Sequence, residues 1–554
     1  MQHLWTEKGR ALPAIPWETY PRPQLRRKDW ICLNGSWDFE CGSRRCSIQV
    51  PFSPESLLSG TDAIPEIGEE MVYRRSFTVP ECWNGRRILL HFGAAMRDAE
   101  VIVNGVPLLR HDNGYLPFSL DITDVLRADR NELRVRVRND LDRHFPWGKQ
   151  SVRRGGMWYT PCSGICQTVW LEPVPLKHVR SLYIHCGLDH VDLCAEGIED
   201  GTVYLDGQQH ALRNGKVRVS IDRPRLWSPE DPFLYSFTLC SGEDRVESYF
   251  ALRTLTTETV NGIPRLCLNG KPYFFHGLLD QGYWSDGLYT PATPGGFEED
   301  ILSMKALGFN TLRKHIKIEP EQFYYDCDRL GMIVFQDMVN NGEYRYFRDT
   351  ILPTVNLMRR SDQRLNPDPV SRRIFLSSME ETVLLLRNHP CICLWTIFNE
   401  GWGQFRADDA YRKLKALDNS RFVDSTSGWF HQKESDVDSL HIYFRKLHLG
   451  RRKLPQLLSE YGGYVWKLPE HSFNTEKTYG YRIFKTREDY VLGLQALFRS
   501  LVPLAKQGLC GAVYTQISDV EDETNGIFTF DRAVCKLLPE EVQPFAKDLQ
   551  NAML

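Results

Sequence analysis

The chain has 554 residues, too many for one ordinary hydrophobic core and enough for roughly three domains. Its 42% hydrophobic and 25% charged residues, with a mean hydropathy of −0.39, are the composition of a soluble globular protein. A net charge of −3, from 68 basic and 71 acidic residues, leaves no electrostatic footprint for nucleic acid or an anionic membrane surface.

The N-terminal Met1-Gln2-His3-Leu4-Trp5-Thr6-Glu7-Lys8 lacks the apolar stretch of a secretory signal, and no apolar run approaches the ~20 residues that span a bilayer. The 15 cysteines are odd in number and widely spread. The close pairs Cys162/Cys166 and Cys391/Cys393 lack the further ligands of a zinc site, so small buried hydrophobes in a reducing cytoplasm are expected. The 14 tryptophans suit either cores or sugar-stacking clefts.

Residues 1–175 read as antiparallel β. Runs such as 87–92 and 99–103 are punctuated by Asn104-Gly105 and Asn113-Gly114, and Leu133-Arg134-Val135-Arg136-Val137-Arg138 alternates strictly. That pattern predicts a sandwich of the jelly-roll kind. Residues 176–258 continue in short strands (217–219, 233–237) over a length that fits an immunoglobulin-like sandwich.

From about residue 259 the rhythm becomes strand–helix. Strands are predicted at 274–278, 311–315, 333–336, 393–398, 422–425, 439–443, 456–459 and 512–515. Helical patterns at 297–307 and 321–330 close on Gly308 and Gly331. Such units over residues 259–554 fit a (β/α)8 TIM barrel better than an open sheet.

Catalytic groups of a barrel sit where its strands end. Glu400 closes Leu394-Trp395-Thr396-Ile397-Phe398-Asn399, and Glu460 closes Leu457-Leu458-Ser459, on the fourth and seventh strands. A carboxylate at the end of an apolar strand costs free energy unless it is paired or used. Two carboxyls facing each other across about 5–5.5 Å are what a retaining, double-displacement glycosidase requires. Asn399 is then placed to bond a sugar 2-hydroxyl.

WTIFNEGWG at 395–403 and LLSEYGG at 457–463 resemble the acid/base and nucleophile segments of glycoside hydrolase family 2, the family of β-galactosidases, β-glucuronidases and β-mannosidases. LNGSWDF at 33–39, VYRRSFTVP at 72–80, SGICQTVWLEPV at 163–174, FFHGLLDQGYWSDGLYT at 274–290 and VYTQISDVEDETNGIFTFDR at 513–532 extend the resemblance over nearly the whole chain. It implies Glu400 as acid/base, Glu460 as nucleophile, Asn399 as 2-hydroxyl partner and Tyr443 as the phenol that bonds the nucleophile. Asp337 is expected to bind a hydroxyl or to orient Arg313. His315 and His441 are expected at the rim, and Asp280 and Trp284 along the sugar pocket.

Three departures bear on specificity. His315 follows Arg313 by two positions where better-known members have three. Gln516 stands where a tryptophan is common, at the floor of the sugar site. Glucuronidases hold the sugar carboxylate with Asn-x-Lys after the last strand; here the stretch reads Asn525-Gly526-Ile527, and Asn474-Thr475-Glu476-Lys477 has the wrong spacing. The expectation is an exo-acting glycosidase on a neutral glycoside or oligosaccharide, β-galactosides first. A β-glucuronidase or α-L-arabinosidase, or a non-catalytic carbohydrate-binding protein, are the alternatives. Some relatives use Mg²⁺, but its ligands have no match here, and no phosphate loop or metal cluster stands out, so no cofactor or metal is expected. A homo-oligomer is left open. The chain stops after the predicted barrel, without the added C-terminal sandwiches of the largest β-galactosidases.

Overall fold

The computed structural model describes residues 2–354, 357, 361–451 and 453–553. Its first sandwich packs a four-stranded sheet, in the order Ile31–Cys32, Val169–Val174, Arg87–Phe92 and Phe118–Asp121, on a six-stranded one. The six-stranded sheet contains the strictly alternating segment, Asn131–Arg138. Leu133, Val135 and Val137 enter the core, while Arg136 on the other face meets Glu70 at 2.7 Å and Glu100 at 3.0 Å. Period-two patterning thus separates an apolar from a charged face.

The second sandwich pairs three strands (Ser181–Cys186, His190–Glu196, Lys216–Ser220) with four (Gln208–Leu212, Gly201–Leu205, Tyr235–Ser241, Asp244–Phe250) around Val191, Leu193, Val203, Leu239 and Val246. An antiparallel hairpin, Leu255–Val260 and Ile263–Leu268, follows. Its Leu266 and Leu268 join the core of the barrel, so strand–helix alternation begins at Phe275 rather than near residue 259.

Eight parallel strands form the barrel: β1 (Phe275–Asp280), β2 (Thr311–Lys314), β3 (Ile333–Asp337), β4 (Ile392–Asn399), β5 (Phe422–Ser427), β6 (Asp438–Ile442), β7 (Gln456–Gly462) and β8 (Leu509–Thr515). Their order, β5-β4-β3-β2-β1-β8-β7-β6, leaves one seam between β5 and β6. That seam is laced by Asp436, whose N–H donates to Val423 O at 2.9 Å and whose carboxylate accepts from Val423 N at 2.8 Å.

Helices α1 (Gly295–Ala306), α2 (Glu321–Leu330), α3 (Pro369–Leu386) and α4 (Ala407–Leu417) follow β1 to β4; α5 (Arg487–Arg499) and α6 (Leu501–Gln507) follow β7, and α7 (Pro539–Asn551) follows β8. Among the described residues no helix follows β5 or β6, so two of the eight expected strand–helix units are strand–loop units. No helix among the described residues is long and apolar enough to cross a membrane.

Inside the barrel, Phe275, Phe335 and Phe422 meet ring to ring, with centroids 5.4 and 6.4 Å from Phe275. Two residues further along β3 and β5 the period of two brings up a polar residue, Asp337 above Phe335 and Asp424 above Phe422. An apolar plug below and a polar layer above fix the depth of the site.

Candidate active site

Glu400 is the first residue past β4, and the chain turns there. Glu400 itself has φ +55°, a left-handed conformation rare for a side chain with Cβ, and Gly401 follows at φ +74°. A Cβ on Gly401 would meet the Phe430 ring at 2.4 Å, so this turn requires glycine. The Glu400 N–H donates to Ser427 O at 3.0 Å, and Trp429 Nε1 donates to Glu400 O at 3.1 Å. The strained turn is pinned from β5.

Glu460 lies within β7, not beyond its end. The pairing registers of β7 with both β6 and β8 slip around Ser459 and Glu460, an irregularity that re-aims the side chain. Glu460 is thereby turned to the interior at 7% exposure. A Glu400 oxygen, a His441 ring nitrogen and a Glu460 oxygen all lie within 4.8 Å of one another.

Arg313, on β2, is the hub of the site and is 1% exposed. Its Nε donates to Asp337 Oδ1 at 3.0 Å, Nη1 to Ser459 O at 3.0 Å and to Glu460 Oε1 at 3.1 Å, and Nη2 to Asn399 Oδ1 at 2.8 Å. With its oxygen taken by Arg313, Asn399 keeps its amide N–H groups for another acceptor. Burial alone would push the Glu460 carboxyl up. His441, Arg313, His315 and the Tyr443 hydroxyl outweigh it and hold the carboxyl down at about 2.

His441 bridges the two glutamates, its Nδ1 2.7 Å from Glu400 Oε1 and 3.6 Å from Glu460 Oε2. Its Nε2 lies 3.1 Å from Ser427 Oγ. Gly428, at φ +92°, packs against this ring, where a Cβ would fall 2.7 Å from Nδ1. The Tyr443 hydroxyl donates to Glu460 Oε2 and lies 3.1 Å from Thr515 Oγ1. Its ring stacks on Tyr481, centroids 3.8 Å apart.

Five of the residues singled out in the sequence, Asn399, Glu400, His441, Tyr443 and Glu460, therefore converge. Asp337 serves Arg313 and His315 instead of the pocket: its Oδ2 lies 2.7 Å from His315 Nδ1, and both side chains are 1% exposed. Burial, with Lys149 nearby, lowers His315 to about 4. Gln516 is fully buried and donates Nε2 to Asn525 Oδ1 at 2.9 Å.

Asp280 and Trp284 are not gathered with the pair. Strand alternation points Arg313 inward and Lys314 outward, and Lys314 draws Asp280 into an ion pair at 2.6 Å in the helix layer. Trp284 packs against Phe297 of α1 with Arg532 over its ring at 4.2 Å, a structural sandwich away from the pocket. Lys477 is exposed.

Sequence reasoning missed the contribution of the loop 139–163 of the first sandwich. Trp147 Nε1 donates to Gly342 O at 3.0 Å, Tyr159 OH to Glu523 Oε2 at 2.6 Å and Thr160 N to Glu521 Oε1 at 2.8 Å, so the loop braces the barrel rim. Trp147, Trp158, Tyr344 and Trp402 form an aromatic wall there, with Tyr344 close enough to feel the charge of Glu400. Contacts across hundreds of positions leave no local sequence signal.

Among the described residues, Glu400, His441 and Glu460 are also the group of His and carboxylate side chains that could hold a metal ion. The fixed positive charge of Arg313 beside Glu460 opposes a cation there.

Residues 60–189 match the glycosyl hydrolase 2 galactose-binding domain-like family model, 190–253 the glycosyl hydrolases family 2 model and 261–462 the family 2 TIM barrel model. The chain belongs to glycoside hydrolase family 2. It is 24% identical over 439 residues to a β-galactosidase of Thermoanaerobacter pseudethanolicus, covering 71% of this chain and 54% of that one. A β-glucuronidase of Chlorocebus aethiops is 25% identical over 433 residues, 68% of this chain and 63% of its own. The chain thus spans little more than half the length of these curated relatives.

Among solved structures, a β-glucuronidase of an uncultured Clostridium sp. superposes with a TM-score of 0.76 at 18% identity, over 95% of this chain and 99% of that one. A family 2 β-galacturonidase from Eisenbergiella tayi, bound to galacturonate, gives 0.70 at 20% identity over 95% and 99%. At such identities the likeness is one of fold.

Proposed function

We propose that the protein is a retaining exo-glycosidase that removes a terminal neutral sugar, β-galactosides first, by double displacement. The observation that carries this reading is the approach of Glu400 and Glu460 to within 4.8 Å, the separation that lets one carboxylate attack the anomeric carbon while the other protonates the leaving oxygen. Glu460, held near 2 by its neighbours, is the anionic nucleophile. Glu400 gives its proton to the leaving group and then takes one from water. Tyr443 and Arg313 orient Glu460, and Asn399 offers its amide to the sugar 2-hydroxyl.

The sugar class rests on the loop after β8. Its Asn525 is engaged by Gln516 and Glu523, and Ile527, which the resemblance puts in the place of the glucuronidase lysine, is a fully buried apolar side chain. An ionised sugar carboxylate left unpaired in a dry pocket costs several kcal/mol. A second reading, a β-glucuronidase, is favoured by Lys149, whose ammonium bears on His315 and Glu523. Matched p-nitrophenyl β-galactoside and β-glucuronide separate the two. The galactoside is expected to show a kcat/KM at least about a hundredfold higher, the factor that ~3 kcal/mol of lost charged contact implies. A preference for the glucuronide would reverse the choice. All fifteen cysteines are unpaired, which supports a reducing cytoplasm as the location.

A further inference from the structure

Beyond Thr515 the chain enters a loop rich in carboxylates, Asp519, Glu521, Asp522 and Glu523, every one of them buried. Buried carboxylates need partners. Asp519 lies 2.8 Å from Lys536 Nζ, Glu521 3.3 Å from Arg154 Nη1, and Asp522 accepts from Asn474 Nδ2 at 3.0 Å. These three bonds knit the loop to the protein around it.

Glu523 differs in what holds it and in what it faces. Its donors are neutral: Tyr159 OH, from the first sandwich, at 2.6 Å on Oε2, and Asn525 Nδ2 at 3.2 Å on Oε1. It is 3% exposed, and burial raises its pKa against the pull of Lys149, Tyr159 and Asn525. The charge of Glu460 bears on it, and its own charge bears on Tyr481, whose ring stacks on Tyr443, and on Tyr479, whose ring lies against Tyr481. Glu523 is therefore a third carboxylate around the sugar pocket.

A second observation points to a ligand. Gln516 Nε2 donates to Asn525 Oδ1, and the other amide atom, Oε1, is buried without a hydrogen-bond partner. An acceptor left unbonded in a fully buried residue is costly, and a sugar hydroxyl would satisfy it.

We propose that Glu523 sets the specificity of the site: fixed by Tyr159 and Asn525, its carboxylate accepts a sugar hydroxyl and excludes a sugar that carries a carboxylate of its own. The proposal rests on the assignment of Glu400 and Glu460 as the glycosidase pair. Like charges in a water-poor pocket repel, so a uronate enters only if it or Glu523 takes up a proton from solvent, a cost that neutral sugars do not meet. Lys149 is the countercharge of Glu523. Removing the carboxylate frees that ammonium for an anionic sugar.

The test uses the full chain with p-nitrophenyl β-galactoside and p-nitrophenyl β-galacturonide, which differ only at the sugar C6. Wild type is expected to prefer the galactoside. Glu523→Gln should narrow that preference at least tenfold, with kcat/KM for the galacturonide rising, and the double variant with Lys149→Met should lose the rise. Tyr159→Phe, which keeps the ring and removes the donor, should move the preference in the same direction by at least threefold and guards against a misfolded Glu523 variant. A wild type that hydrolyses no glycoside overturns the glycosidase reading and this inference with it. A wild type that prefers the galacturonide, or an active one whose preference is unmoved in both Glu523→Gln and Tyr159→Phe, overturns this inference alone.

Discussion

Arg313 Nη1 lies 3.1 Å from Glu460 Oε1, and the same guanidinium spends its remaining donors on Asp337, Ser459 and Asn399. One buried cation from β2 thus fixes two residues on β7, one on β3 and one at the end of β4. Arg313 makes the carboxylate ionised and immobile at once, the two properties that a nucleophile needs.

The first prediction follows from that pairing. Glu460 is depressed from 4.5 to about 2, so its ionised form stabilises the fold fully above 4.5, and this contribution is lost as pH falls through about 2. Arg313→Met leaves burial opposed by fewer positive charges, which moves the Glu460 pKa up. The acid limb of kcat/KM should shift to higher pH, and acid unfolding should begin at higher pH. Removing one partner of a buried pair should also cost about 3–5 kcal/mol in denaturant titrations at neutral pH. An unshifted acid limb would separate Arg313 from the ionisation of Glu460.

Tyr443→Phe removes one donor from Glu460 and leaves the ring stacked on Tyr481. A hydrogen bond to a charged group is worth about 1.5–3 kcal/mol, so kcat should fall by roughly 10- to 150-fold with little change in unfolding midpoint. Steady-state rates together with thermal melts check this. A large loss of stability with kcat intact would make Tyr443 a packing residue.

The eight barrel strands were legible because most are short apolar runs between polar or turn residues, and the residue at which Ile392–Asn399 gives way to Glu400-Gly401 is visible in the letters themselves. The hairpin of 255–268 was not, because its strands resemble those of the preceding sandwich and only burial against the barrel floor assigns them. Asp280 ends β1 and Trp284 follows it closely in sequence, but their direction depends on Lys314 and Phe297, contributed by other elements. Glu523 and Lys149 were missed for the same reason. A loop of the first sandwich and a loop of the barrel meet there, and although the barrel loop lies in the family-like stretch 513–532, nothing in the letters says which of its carboxylates faces the pocket.

Glu400→Ala should depress turnover unevenly. Substrates with poor leaving groups need the proton and should slow by about 10² to 10⁴, while activated aryl glycosides should enter the covalent intermediate nearly as before. Azide should then restore the second step and yield a glycosyl azide of the substrate's own configuration. Equal losses for every leaving group, without azide rescue, would remove Glu400 from the acid/base role.

The separation of the two carboxylates also fixes stereochemistry. Within 4.8 Å there is no room for a water between Glu460 and the anomeric carbon, so the first-formed sugar should keep the anomeric configuration of the substrate. Proton NMR of the early reaction mixture reads this out. An inverted product would replace double displacement with a single step.

The most direct measurement is covalent. A 2-deoxy-2-fluoro glycoside of the preferred sugar forms the glycosyl-enzyme faster than water can break it, because the fluorine destabilises both oxocarbenium-like transition states while an activated leaving group keeps the first step fast. Peptide mass spectrometry of the inactivated protein should find one sugar on Glu460, and Glu460→Gln should take up none. A label on any other carboxylate, Glu400 and Glu523 included, would contradict the account.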